Sequence, residues 1–151
     1  MSLNNTLLEE KDVNIVTLSL ELEKATMEYE QRSDLTLYVH EEGMFPFWIN
    51  LHKTPPFLLL TTYLNWTPDV PDEKRLALCN RINERLFLPS VYLHTLQRED
   101  GTITRFTASY PIYYRDGLLV SQFIRLCRQF SAAMMQIRTE FDPEHEILQP
   151  L

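Results

Sequence analysis

The sequence predicts an α+β fold: one domain with the order α-β-β-β-α-β-β-α, in which an antiparallel sheet packs against helices. Three observations predict it. Apolar residues recur at helical spacing in three separated stretches; alternating or short apolar runs fill the stretches between them; and Asp100-Gly101 gives a hairpin signal between the last two runs. At 151 residues, with 44% apolar and 23% charged side chains, the chain has the length and composition of one globular core.

Residues 1–13 are polar and are expected to be a flexible segment. From Asn14 to Tyr29, the residues Ile15, Leu18, Leu22, Ala25 and Tyr29 recur at spacings of three and four among Glu21, Glu23, Lys24 and Glu28, which predicts an amphipathic helix. After Ser33-Asp34 the period changes to two. Leu35, Leu37 and Val39 point one way and Thr36, Tyr38 and His40 the other, a strand. Glu42-Gly43 turns the chain into a second strand, with Phe45, Phe47, Ile49 and Leu51 opposite Trp48, Asn50 and His52. The run from Phe57 to Leu64 is apolar on both sides and predicts a central strand covered on both faces.

Pro68 and Pro71 end that run, and Asp72-Glu73 suit the positive end of a helix dipole, so a second helix starts at about Pro71 with Leu78, Cys79, Ile82 and Leu86 inward. Two strands follow, Leu88 to Arg98 and Thr102 to Tyr110. Asp116 is expected to cap a closing helix from Gly117 to Phe141, buried along Val120, Phe123, Ile124, Cys127, Phe130, Met134 and Ile137. The tail Asp142 to Leu151 carries two prolines and is expected to be an exposed flexible arm, leaving 14–141 as the domain.

Composition excludes several classes of function. Against 21 acidic residues there are 14 basic ones, and a net charge of −7 repels phosphate backbones, so no nucleic-acid partner is expected. No apolar run approaches the roughly 20 residues of a membrane span and the N-terminus lacks a signal-peptide plan, so no membrane partner and a cytoplasmic location are expected. Three glycines, none clustered, cannot write a dinucleotide fingerprint, a phosphate loop or a nucleophile elbow. Cys79 and Cys127 fall inside helical apolar patterns and read as buried reduced thiols.

The groups able to do chemistry do not converge. His40, His52, His94 and His145 share neither i, i+4 spacing nor a short Cys/His cluster, so no metal is expected. The acidic pairs Glu41-Glu42 and Glu99-Asp100 lie at turns, where adjacent side chains point apart; no catalytic residue and no cofactor are expected. Arg75, Arg81, Arg85, Arg125 and Arg128 form loose rows that solvate helix faces. Tyr38, Trp48, Tyr92 and His94 lie on the second faces of their strands and are the candidate partner or dimer surface. Asn80 and Asn83 border the second helix's apolar stripe and are candidate structural amides that tie it to a neighbouring strand.

The helix LALCNRINERL, then VYLHTLQREDGTITRFTASYPI, then a closing helix beginning GLLVSQFIRLCRQF, together resemble the YbjN-like bacterial proteins, over about Asp34 to Ile137. That resemblance implies the fold of type III secretion chaperones, a tendency to form homodimers, no enzymatic activity, and a role in regulating stress responses or motility. The expected function is a non-enzymatic protein-binding or chaperone-like regulatory module with an unidentified protein partner. The alternative is a small-molecule or peptide sensor that uses a cleft between sheet and helices.

Overall fold

Asn14 decides where the first helix starts. Its Oδ1 accepts from Thr17 N at 3.0 Å while Thr17 Oγ1 accepts from Asn14 N at 3.1 Å, a reciprocal cap that satisfies two of the free N–H groups of the first turn. The helix stops where Thr26 takes a left-handed φ of 58° and Met27 N donates back to Leu22 O at 2.9 Å. The helix expected to reach Tyr29 therefore ends at Lys24, and Tyr29 opens a strand.

The computed structural model describes residues 6–149. In chain order the elements are β1 (Leu7–Leu8), a 3-10 turn (Glu10–Asp12), α1 (Ile15–Lys24), β2 (Tyr29–Ser33), β3 (Thr36–Val39), β4 (Phe47–Lys53), β5 (Pro56–Leu64), α2 (Asp72–Arg85), β6 (Ser90–Arg98), β7 (Gly101–Tyr113), β8 (Leu118–Leu119), α3 (Val120–Gln136) and a π-helical turn (Ile137–Phe141). The long strands follow the order β2-β3-β4-β5-β7-β6, and β1 pairs with β8 in a separate ribbon. This is the expected antiparallel α+β architecture with β2 and the short ribbon added. The chain divides into two compact units, Met1–Thr61 with Tyr110–Ala132 and Thr62–Ser109 with Ala133–Leu151.

In the first unit, β3 and β4 pair antiparallel with Leu37 opposite Ile49 and Val39 opposite Phe47, all fully buried. Phe130 of α3 meets Phe47 edge-on at 5.5 Å, and Ser131 Oγ accepts from Phe45 N at 2.6 Å, fastening the entrance of β4 to that helix. Arg128 donates to Ala25 O at 2.9 Å and so satisfies a free carbonyl at the end of α1. The segment expected to be frayed is engaged from Thr6 onward, because Leu7–Leu8 pair with Leu118–Leu119 and Val13 is buried; residues 1–5 lie outside the described residues. Gly117 makes that pairing possible: it adopts φ +108°, and a Cβ there would come within 3.0 Å of Leu7 Cδ1 and 3.1 Å of Leu8 O. The chain at 118–119 is thus a strand, and the closing helix begins at Val120 instead of at an Asp116 cap.

In the second unit, α2 buries Leu78, Cys79 and Ile82, and β6 pairs antiparallel with β7 through a Glu99-Asp100 turn, one residue earlier than the expected Asp100-Gly101, with Gly101 already opposite Arg98 and Val91 opposite Ala108. Trp66 packs edge-on to Phe106 at 5.6 Å and under the Arg75 guanidinium at 5.4 Å. The tail expected to be an exposed arm is held. Asp142 is buried and accepts from the backbone N of Glu146, Ile147 and Leu148, while Leu148 bridges to Trp66 and Gln149 N donates to Asn65 O at 2.9 Å. Pro150 and Leu151 lie outside the described residues.

β5 corrects a further expectation. Leu58, Leu60, Thr62 and Leu64 are buried, but Phe57, Leu59 and Thr61 are only half-buried and Tyr63 is exposed, so this strand alternates like its neighbours. An apolar row can stand on a strand's open side when its side chains cover one another laterally.

Candidate interaction surface

Within the first unit the strand period separates two rows of side chains. Leu37, Val39, Phe47, Ile49 and Leu51 form the buried row; Thr36, Tyr38, Trp48, Asn50 and Phe57 form the other, half-buried, with His52 exposed. Registration places Tyr38 opposite Trp48 and Trp48 opposite Thr61. The Tyr38 ring lies 4.8 Å from Trp48, stacks on His40 at 5.1 Å, and carries the Arg32 guanidinium 4.8 Å above its face. Glu30 accepts from Arg32 at 2.8 Å and lies 3.7 Å from His40 Nε2, so the cation is held over the ring by an acid on its own strand. Further along, His52 stacks on Phe57 at 4.2 Å, and Phe57 meets Tyr113, 68% exposed, at 5.8 Å.

Within the second unit the other two candidates form a looser pair. Tyr92, 40% exposed, and the exposed His94 have ring centroids 6.4 Å apart. His94 stands opposite Arg105, whose guanidinium lies 4.1 Å over Tyr63.

The two asparagines part company. Asn83 Nδ2 donates to Val91 O and Asn83 Oδ1 accepts from Val91 N, both at 2.9 Å, so one side-chain amide pairs with a backbone as a neighbouring strand would. Asn80, one residue off the buried stripe of Leu78, Cys79 and Ile82, is exposed.

These arrangements present rings, a guanidinium and a side-chain amide. The thiols are buried, with Cys79 pushed up to about 11 by burial and Cys127 raised further by the same cause, so neither is a nucleophile near neutral pH. Among the described residues no three His, Cys, Asp or Glu side chains are placed to hold a metal, and no helix is long and apolar enough to cross a membrane. Arg32, Tyr113 and the Arg105–Tyr63 pair escaped the sequence reading. Arg32 sits in YEQRS, a polar strand without apolar alternation, and Tyr113 and Arg105 belong to a strand whose pairing offset no local pattern reports.

A family model described as "Putative bacterial sensory transduction regulator" matches residues 12–143. The chain belongs to the YbjN family. A crystal structure of YbjN from E. coli, described as "a putative transcription regulator", superposes with a TM-score of 0.73 at 18% identity, covering 91% of this chain and 97% of that one. At that identity the likeness speaks for the fold, which is the YbjN fold over nearly the whole chain. No curated protein matches. The YbjN family description is of a regulator.

Proposed function

We propose that this YbjN-family chain is a cytoplasmic regulatory module without catalytic activity, which works by protein–protein contact through the aromatic row of its first unit. The observation that carries this reading is the Tyr38–Trp48 pair: two large rings 4.8 Å apart, half-buried, flanked by His40 and topped by Arg32. Trp, Tyr and Arg carry a disproportionate share of interface energy, and an apolar row left to water favours association. The first occupant is a second copy of the chain, giving a homodimer; a partner protein in bacterial stress or motility regulation uses the same row in a chaperone-like contact. A net charge of −7 disfavours nucleic acid as that partner.

Light scattering at micromolar concentrations tests the reading. The expected mass is twice 17.9 kDa for the unmodified chain. Trp48→Ala should weaken association by about 2 kcal/mol, roughly 30-fold, with unchanged circular dichroism. A monomer across the whole range, or a dimer indifferent to Trp48→Ala, would remove this function from the aromatic row.

A further inference from the structure

The end of the last helix and the tail form a separate feature within the second unit. At Ile137–Phe141 the helix widens into a π-helical turn, an irregularity that re-aims side chains and recurs at functional sites. Arg138 sits in that turn. Asp142, by accepting from three successive N–H groups of the tail, folds the chain back, with His145 at a left-handed φ of 55°. Met135, Arg138, Thr139, Pro143 and His145 line a pocket of about 410 Å³, at the small end of the range for organic ligands.

The half-buried Arg138 brings a cation to the pocket's lining. Arg138 Nε is buried and has no hydrogen-bond partner, and among the described residues no carboxylate pairs with this guanidinium. Glu140, two residues on, accepts from Gln136 at 3.1 Å instead. Among the described residues the Nη donors of this guanidinium have no acid beside them, and a group arriving with two oxygens can pair with both at once.

We infer that this pocket binds a small organic carboxylate. The carboxylate pairs with the Arg138 fork, and its carbon body lies against Met135 and Pro143. Those two apolar neighbours distinguish the ligand from inorganic phosphate, which would satisfy the cation and leave them wet. The site owes nothing to the aromatic row of the first unit, so either reading can fail without the other.

The test uses the full chain with three probes: phenylacetate, its neutral analogue phenethyl alcohol, and inorganic phosphate. Phenylacetate is expected to raise the thermal midpoint and to shift the Met135 methyl resonance, while the other two do neither. Arg138→Gln should weaken phenylacetate binding at least about tenfold. If that variant does not fold, Arg138→Lys keeps the charge without the fork and should show the same loss, and the Met135 methyl shift in the unmodified protein needs no variant. No methyl shift with phenylacetate up to about 10 mM, an equal response to phenethyl alcohol or phosphate, or undiminished binding by a folded Arg138 variant would each overturn the proposal.

Discussion

Replacing Asn83 by Ala isolates a contact with a calculable effect. Asn83 exchanges two hydrogen bonds, each 2.9 Å, with the backbone of Val91, a residue only 3% exposed at the start of β6. A typical net contribution of 0.5–1.5 kcal/mol per bond puts the loss at about 1–3 kcal/mol. Two effects reduce it. Alanine is the better helix former by up to about 0.7 kcal/mol, and because Asn83 itself is exposed, water can reach part of what the amide leaves behind. The net destabilisation should be about 0.5–2 kcal/mol, which for a domain of this length lowers the melting midpoint by roughly 1–8 °C. Urea denaturation followed by circular dichroism measures it, with the slope unchanged and the midpoint lowered. Asn83→Asp separates the two bonds, since a carboxylate can accept from Val91 N but cannot donate to Val91 O, and it should recover at most part of the loss. An unchanged or raised midpoint for Asn83→Ala would refute the pairing and free the amide for a ligand or partner.

Two further outcomes test the packing. Gly117→Ala forces a Cβ to within 3.1 Å of Leu8 O in a left-handed backbone, so stability should fall by about 1–3 kcal/mol, and the Val120 amide, which donates to Thr6 O, should lose its exchange protection; an unaltered Val120 amide would show that β1 does not depend on this glycine. Burial holds both thiols protonated in the folded chain above their ordinary 9.0, so the unfolded chain releases protons first and stability should decline as pH rises from about 9 through the Cys79 value of about 11. Thiol labelling at pH 8 should accordingly wait for denaturant, and rapid labelling of the native protein would contradict the burial of Cys79 and Cys127.

The elements that could be read from sequence were those whose own period matches their environment. α2 and α3 carry stripes with one buried side, and β3 and β4 alternate cleanly, so residues as separate as Leu37, Ile49, Ile82 and Phe130 could be assigned to buried rows from spacing alone. β2 was missed because an edge strand need bury little: YEQRS has one half-buried residue, and its polarity continues that of the preceding helix. The run from Phe57 to Leu64 misleads for the opposite reason: Phe57 and Leu59 are apolar yet only half-buried, and Phe57 lies against the rings of His52 and Tyr113. The tail was misread because what holds it, Asp142 against three N–H groups and Leu148 against Trp66, joins residues with no shared pattern. At the candidate surface, strand parity is enough to put Tyr38 and Trp48 on the second faces of their strands, whereas their pairing comes from the register and Arg32 over Tyr38 from β2.

The edges of the sheet bear on how such a surface is used. β2 is the outermost strand at one end of the strand order; it is polar, its register shifts between Gln31 and Ser33, and Arg32 and Glu30 pair along it, features that discourage another strand from adding there. β6 is outermost at the other end, and the Val91 backbone groups that a new strand would need are already taken by Asn83. Strand addition would therefore meet charge along β2 and, at the start of β6, backbone groups that Asn83 already occupies. In the first unit the row of side chains holds rings and a cation, so under the proposed function a partner is met by those groups and not by backbone pairing. That is why a single truncation at Trp48, which leaves every strand hydrogen bond in place, is the substitution able to distinguish face-to-face contact from edge-to-edge contact.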